Sequence, residues 1–150
     1  MRRCNLLEGE LPQEQDRPGF RTRRSRVGAS IGSEQIGASV YEIPEGETTF
    51  PYHYRHGVEE WVVVIDGTPT VRTPDGEREL RPWDCVFCPA GEAGAHKVTN
   101  HSDEPARIII WSNRSNPGTT IYPDSNKVGA WPPGKLFRLD DAVDYFEGEV

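Results

Sequence analysis

Hydrophobic and polar positions alternate along this 150-residue chain in short bursts and do not settle into a helical rhythm. Runs rich in Val, Ile, Thr and aromatic residues occupy positions 38–43, 48–54, 60–65, 68–73, 77–80, 85–88, 95–100 and 106–112. A period of two over a few residues, bounded by Gly, Pro, Asn or Asp, predicts a strand, and eight such strands at regular spacing predict an all-β sandwich or barrel. Two turns stand out in the sequence. Asp66-Gly67 and Pro74-Asp75-Gly76 each supply a residue that tolerates positive φ, and both are expected to close hairpins. Past Asn113 the punctuation thickens (NRSNPG, PDSN, WPPG), so 113–150 is expected to be a loop-rich extension, with one helix over 140–146 behind Asp140 as N-cap. Residues 1–34 read as an arm or leading strand, and 35–112 as the body of the fold.

Composition narrows the class. With 15 Gly and 13 Pro the chain has too many breakers for a helical bundle, while 35% hydrophobic residues suffice for a core. The longest apolar run, 61–65, has five residues, whereas a spanning helix needs about 20. No signal-peptide pattern opens the chain, so a soluble, cytoplasmic protein without a membrane partner is expected.

Charge is uneven: the first 30 residues carry seven Arg against four acids, and the remaining 120 carry ten basic against twenty acidic residues, for a net charge of −7. An acidic body repels a phosphate backbone, and the Arg tract at 17–26 reads as a solvated arm, so no nucleic-acid partner is expected. Three Cys make no disulfide framework. Cys85 and Cys88, three apart on a strand, face opposite sides and form no redox pair.

The chemistry concentrates in PEGETTFPYHYRHGVEEWVVVIDG, which brings His53, Arg55, His56 and Glu60 together. On a strand His53 and Arg55 share one face, with Tyr52, Tyr54 and His56 on the other. A tight reversal would put Glu60 on the side of His53, and the Gly-rich PAGEAGAHKVTN segment can turn His96 toward the same interior. Two imidazoles and a carboxylate suit Fe(II), Mn(II), Ni(II) or Zn(II) and leave coordination positions open. From spacing alone, hydrogen-bonded structural histidines fit equally well.

The chain here resembles the cupin superfamily. Gly46, His53, Glu60 and Gly67 match its first motif, with one extra residue between Gly46 and His53. Pro89, Gly91, His96 and Asn100 match its second, with a spacer of four residues in place of two. Trp83 replaces the glycine that usually opens the second motif, beside a retained Asp84. The resemblance implies a double-stranded β-helix, or jelly-roll barrel, often dimeric, with metal ligands His53, Glu60 and His96. The remaining ligand position, usually a second His, falls on Arg55, a permanent cation that cannot ligate.

Three arrangements follow from that departure: the metal persists on three ligands, His56 swings in as replacement, or Arg55 clasps Glu60 bidentately in the metal's place. The first is preferred because all three other ligands keep their motif positions. Two functions fit such a barrel. One is a divalent-metal enzyme, an isomerase, epimerase or dioxygenase, acting on a small sugar-like or carboxylated molecule. The other is a metal-free module binding a similar ligand. Arg55, Tyr52 and Tyr54 are the catalytic candidates, and Arg55, His56 and Tyr54 the ligand-binding ones. A homodimer is expected, since edge strands and the arm need covering.

Overall fold

The computed structural model of the chain describes residues 1–114 and 117–150. In chain order the elements are β1 (Gln13–Gln15), β2 (Thr22–Ser25), a single helical turn α1 (Val27–Ser30), β3 (Ile36–Ile43), β4 (Tyr54–His56), β5 (Glu60–Asp66), β6 (Thr70–Thr73), β7 (Gly76–Glu79), β8 (Cys85–Cys88), β9 (Lys97–Thr99), β10 (Ala106–Asn113), β11 (Gly118–Tyr122), β12 (Lys127–Trp131) and β13 (Lys135–Arg138). They form a six-stranded antiparallel sheet, β1-β2-β3-β10-β5-β8. Opposite it lie a three-stranded sheet, β7-β6-β9, and a four-stranded one, β13-β12-β11-β4. Two isolated bridges, Thr48–Thr99 and His53–His96, tie β9 to the segment that leads into β4. The result is an all-β jelly roll. Among the described residues no helix is long and apolar enough to cross a membrane.

Strand alternation decides where the core lies. On β3, β5 and β10 the inward residues Tyr41, Ile43, Val62, Val64, Ile108 and Ile110 pack with Val71, Leu80 and Val98 from the opposite layer. The outward residues Val40, Ile65 and Ile109 pack beneath Leu11 and Val27, with Leu6 against their edge. The N-terminal residues therefore lie on the barrel's own outer sheet: β2 pairs with β3, and Arg107 donates to the Leu7 carbonyl.

Several local expectations change. The run at 48–54 is not one strand, because Pro51 has no N–H to give a ladder: Thr48 and His53 make isolated bridges, and Tyr54 already belongs to β4. Asp66-Gly67 closes no hairpin, since β5 pairs with β8 and β10 while β6 lies in the other layer. Gly67 has φ 79°, and a Cβ there would meet the Ala106 Cα at 2.7 Å, so the glycine permits a tight crossover between layers. A short turn signal cannot tell a crossover from a hairpin. Pro74-Asp75-Gly76 does join the paired strands β6 and β7.

The C-terminal extension holds three strands, β11 to β13, so it is less loop-rich than expected. The helix at 140–146 is replaced by one 3₁₀ turn, Leu139–Asp141, followed by irregular chain. That stretch has only surface side chains to offer, so no packing rewards a helix. Of the NRSNPG loop, Ser115 and Asn116 lie outside the described residues.

Candidate metal centre

His53 and His96 become neighbours through their backbones. His53 N–H donates to the His96 carbonyl at 3.1 Å and His96 N–H donates to the His53 carbonyl at 2.9 Å. Residues that exchange both bonds in an antiparallel bridge project their side chains to the same side, and the two rings lie 4.8 Å apart, centre to centre. The longer spacer before His96 is taken up by a 3₁₀ turn, Glu92–Gly94. Gly94 is required there because any Cβ would run into the Pro89 carbonyl. Gly91 N–H donates to the Arg55 carbonyl at 2.9 Å, which fixes this loop to β4.

Glu60 arrives from the facing layer. Asn113 holds the preceding turn by accepting from Glu59 N–H at 2.7 Å and donating to the Gly57 carbonyl at 3.1 Å. On the inner face of the six-stranded sheet, residues change from apolar to polar along the strands. The row Tyr41–Ile108–Val64 is hydrocarbon except for the phenol, whereas Gly37–Ser112–Glu60–Cys88 is the row at the open end. Asn100, wholly buried, donates to the Ile43 and Glu104 carbonyls and accepts from Ser102, so its part is to lock the turn after β9.

The three groups converge. His53 Nε2 lies 3.6 Å and His96 Nε2 3.9 Å from Glu60 Oε2, and one ligand atom from each residue falls within 4.8 Å of the others. Arg55 approaches the other oxygen, Oε1, with Nη1 at 3.6 Å. This is a single contact longer than a hydrogen bond, not the bidentate clasp that would fill a metal's place. Nor does His56 swing in: it is exposed and touches Tyr54 edge-on. Both imidazole Nδ1 atoms lie 2.9 Å from carbonyl oxygens, of Pro51 and Gly94. A carbonyl only accepts, so each Nδ1 holds a hydrogen, and both rings turn Nε2 toward Glu60 Oε2. Two imidazole nitrogens and a carboxylate oxygen thus converge on one point, and this donor set fits a divalent cation.

Electrostatics favour the ionised form of Glu60 and disfavour the charged form of His96. Burial and the neighbouring His53 hold the His96 pKa below its ordinary value against the opposing pull of Glu60. Burial alone would raise that of Glu60, but contact with His53 and the positive fields of His96, His53 and Arg55 outweigh it and leave it lowered. Cys88, across from Glu60, is pushed up to about 12 by burial and then by that carboxylate, so its thiol stays protonated.

A cavity of about 310 Å³ opens over this group. Its walls include His53, Arg55 and Glu60, together with Ser39, Thr120, Tyr122 and Trp131. Tyr122 stacks on His53, with centroids 6.0 Å apart, and burial raises its pKa despite Arg55 nearby. Trp131 donates through Nε1 to Thr120 Oγ1 at 3.2 Å. Thr120, Tyr122 and Trp131 come from β11 and β12, strands that the sequence reading treated as loops. The pairing of β11 with β4 carries them to the site. Tyr52, Tyr54 and His56 do not line the cavity. Tyr52 lies under the Arg72 guanidinium, 3.9 Å from it, where Arg72 is clasped by Asp124. Tyr54 and His56 point the other way along β4, as alternation requires.

Residues 39–112 match the family model described as "Cupin domain". The chain is a cupin-domain protein. Among solved structures, it is similar to a protein of Acidithiobacillus ferrooxidans provisionally named as a sugar phosphate isomerase, at 25% identity over 85% of this cupin and 82% of the other chain (TM-score 0.78). It is also similar to a sugar phosphate isomerase of the cupin superfamily from Silicibacter pomeroyi, at 25% identity over 84% and 82% (TM-score 0.76). The polyketide cyclase RemF of Streptomyces resistomycificus, at 19% identity over 79% and 83% (TM-score 0.60), shares the fold. No curated protein matches the chain.

Proposed function

We propose that this cupin is a divalent-metal-dependent isomerase acting on a small, anionic, sugar-like substrate. The observation that carries the reading is the convergence of one ligand atom each from His53, Glu60 and His96 within 4.8 Å of one another. Two solved cupins at 25% identity that bear the name sugar phosphate isomerase support the reaction class. His53, Glu60 and His96 would hold the ion, which would supply polarisation of a substrate carbonyl or hydroxyl. Arg55, beside but not on that point, holds the anionic group. Tyr122, protonated at neutral pH, donates a hydrogen bond from its Oη. Trp131 offers a face at the rim for the apolar side of a sugar, while Phe50 and Ile110 exclude water from the floor.

The test is elemental analysis of protein purified without chelators, then titration with Fe(II), Mn(II), Ni(II) and Zn(II). Glu60→Gln should weaken metal binding by about tenfold or more, and Arg55→His should tighten it by restoring a neutral imidazole. The loaded protein should exchange deuterium from solvent into the carbon next to a sugar carbonyl. If wild type and Arg55→His both stay empty while folded, the isomerase reading is wrong. The contact of Arg55 with Glu60 then favours a metal-free ligand-binding module.

A further inference from the structure

The position of Arg55 restricts the substrate further. Its guanidinium approaches one oxygen of the Glu60 carboxylate while both imidazoles face the other oxygen. An anion seated on Arg55 therefore lies on the Oε1 side of the Glu60 carboxylate, next to the His53–Glu60–His96 point. A sugar phosphate carries its charge several bonds from its carbonyl, whereas a 2-hydroxy or 2-oxo acid carries it on the adjacent carbon, which matches two neighbouring binding points better. Arg55 is also the single cationic residue lining the cavity among the described residues, and its charge is already shared with Glu60. A phosphate monoester carries about −1.5 to −2 near neutral pH and is usually met by several donors, by a cluster of Arg or by a helix N-terminus. Every lining residue of this cavity lies on a strand or on the segment joining β3 to β4, so no helix N-terminus serves it. A carboxylate, planar and singly charged, matches one guanidinium fork.

We infer that the substrate is a small 2-hydroxy or 2-oxo carboxylate, with its carboxylate on Arg55 and the oxygen of the adjacent carbon at the His53–Glu60–His96 point. This rests on the isomerase reading for the metal, but not for the anion. The hydroxyl-bearing walls, Ser39, Ser112 and Thr120, then suit a polyol tail, and Trp131 closes over it. Arg55 is the specificity-determining residue: it selects carboxylate over phosphate and the 2-position over more distant ones.

Calorimetric titration of the intact protein with D-gluconate, 2-deoxy-D-gluconate and D-glucose 6-phosphate tests this, with the protein both metal-loaded and chelator-stripped. Gluconate should bind the loaded protein about tenfold or more tighter than either of the others, a gap read directly as a ratio of Kd values. Arg55→Lys should keep the charge but lose the planar fork and most of that preference. Arg55→Met should abolish it. Glucose 6-phosphate binding as tightly as gluconate, 2-deoxygluconate binding as tightly as gluconate, or both variants binding gluconate like wild type would each overturn the inference. The isomerase reading fails separately. Should the protein take up no metal yet bind gluconate through Arg55, the carboxylate assignment stands on a binding module. Metal uptake with a preference for the phosphate ester would sink the assignment and leave the isomerase standing.

Discussion

The two faces of the six-stranded sheet are built by the same alternation and put to different uses. Inward, Val62, Val64, Ile108 and Ile110 bury hydrocarbon until the row at Glu60 and Ser112, where polar groups take over and the cavity begins. Outward, Val40, Ile65 and Ile109 are just as buried beneath Leu11 and Val27, yet the neighbouring Trp61, Trp83 and Phe87 are exposed. The inner face thus places charge on an apolar floor, while the outer face is apolar at its centre, carries the Arg107–Glu42 ion pair toward one end, and is covered only in part. A strand with one buried face reads as alternating, and one with two reads as a continuous run. The stretch 61–65, apolar at all five positions, is of the second kind.

The comparison breaks most visibly at two adjacent residues. Ile108 faces inward and Ile109 outward, at 0% and 2% exposure. If both faces are true core, Ile108→Ala and Ile109→Ala should each cost about 2–5 kcal/mol in urea unfolding. A small loss for Ile109→Ala alone would mean that the N-terminal residues cover the outer face too loosely to exclude water.

Those two faces also separate what the sequence made legible from what it hid. The strands at 60–65 and 106–112 were readable because both rows are rich in branched aliphatics, and the three ligand candidates were legible only through the resemblance to the two cupin motifs. The wall formed by Thr120, Tyr122 and Trp131 was hidden because β11 to β13 are bounded by Pro, Asn and Gly, and their pairing with β4 is a long-range fact. The Asp66-Gly67 crossover was misread for the same reason: which layer a strand joins is decided by burial on both sides, not by its turn. Tyr52 looked like a ligand contact beside His53, but the Arg72–Asp124 pair, distant in sequence, claims its ring.

A second difference between the faces should appear as pH dependence. The outer cluster contains no titrating group, whereas His96 lies inside, faced by His53, Glu60 and Arg55. Its pKa is held low in the fold by burial first and by His53 next, so below its ordinary value, about 6.5, the unfolded chain binds a proton that the folded chain refuses. Stability then rises with pH through that window. The contribution is fully present above the ordinary value and is lost as pH falls toward the folded pKa. Glu60, lowered as well, adds a separate loss further into acid, beneath the usual carboxylate range. In chelator-treated protein the urea midpoint should drop as pH is taken from 7 to 5, about the span of an ordinary histidine titration. His96→Asn should flatten that drop, and an unchanged slope in the variant would assign it to other groups.

The smallest expected effect belongs to the outer face. Trp83 occupies φ 73°, a left-handed conformation that costs an ordinary residue about 1–2 kcal/mol, and its side chain is 78% exposed. Its N–H and that of Asp84 are both used, donating to the Val64 and Arg81 carbonyls, so the backbone shape is imposed by the entry into β8 whatever the side chain. Glycine adopts that shape freely but gives the unfolded chain more entropy, which offsets part of the gain. Trp83→Gly should therefore stabilise the fold by about 0.5–1 kcal/mol if the indole does little for the outer face. Destabilisation would mean that Trp83, which lines the groove with Val63, Ile65 and Trp111, covers enough hydrocarbon to outweigh its strain. The open part of the outer sheet would then be smaller than its exposed aromatics suggest.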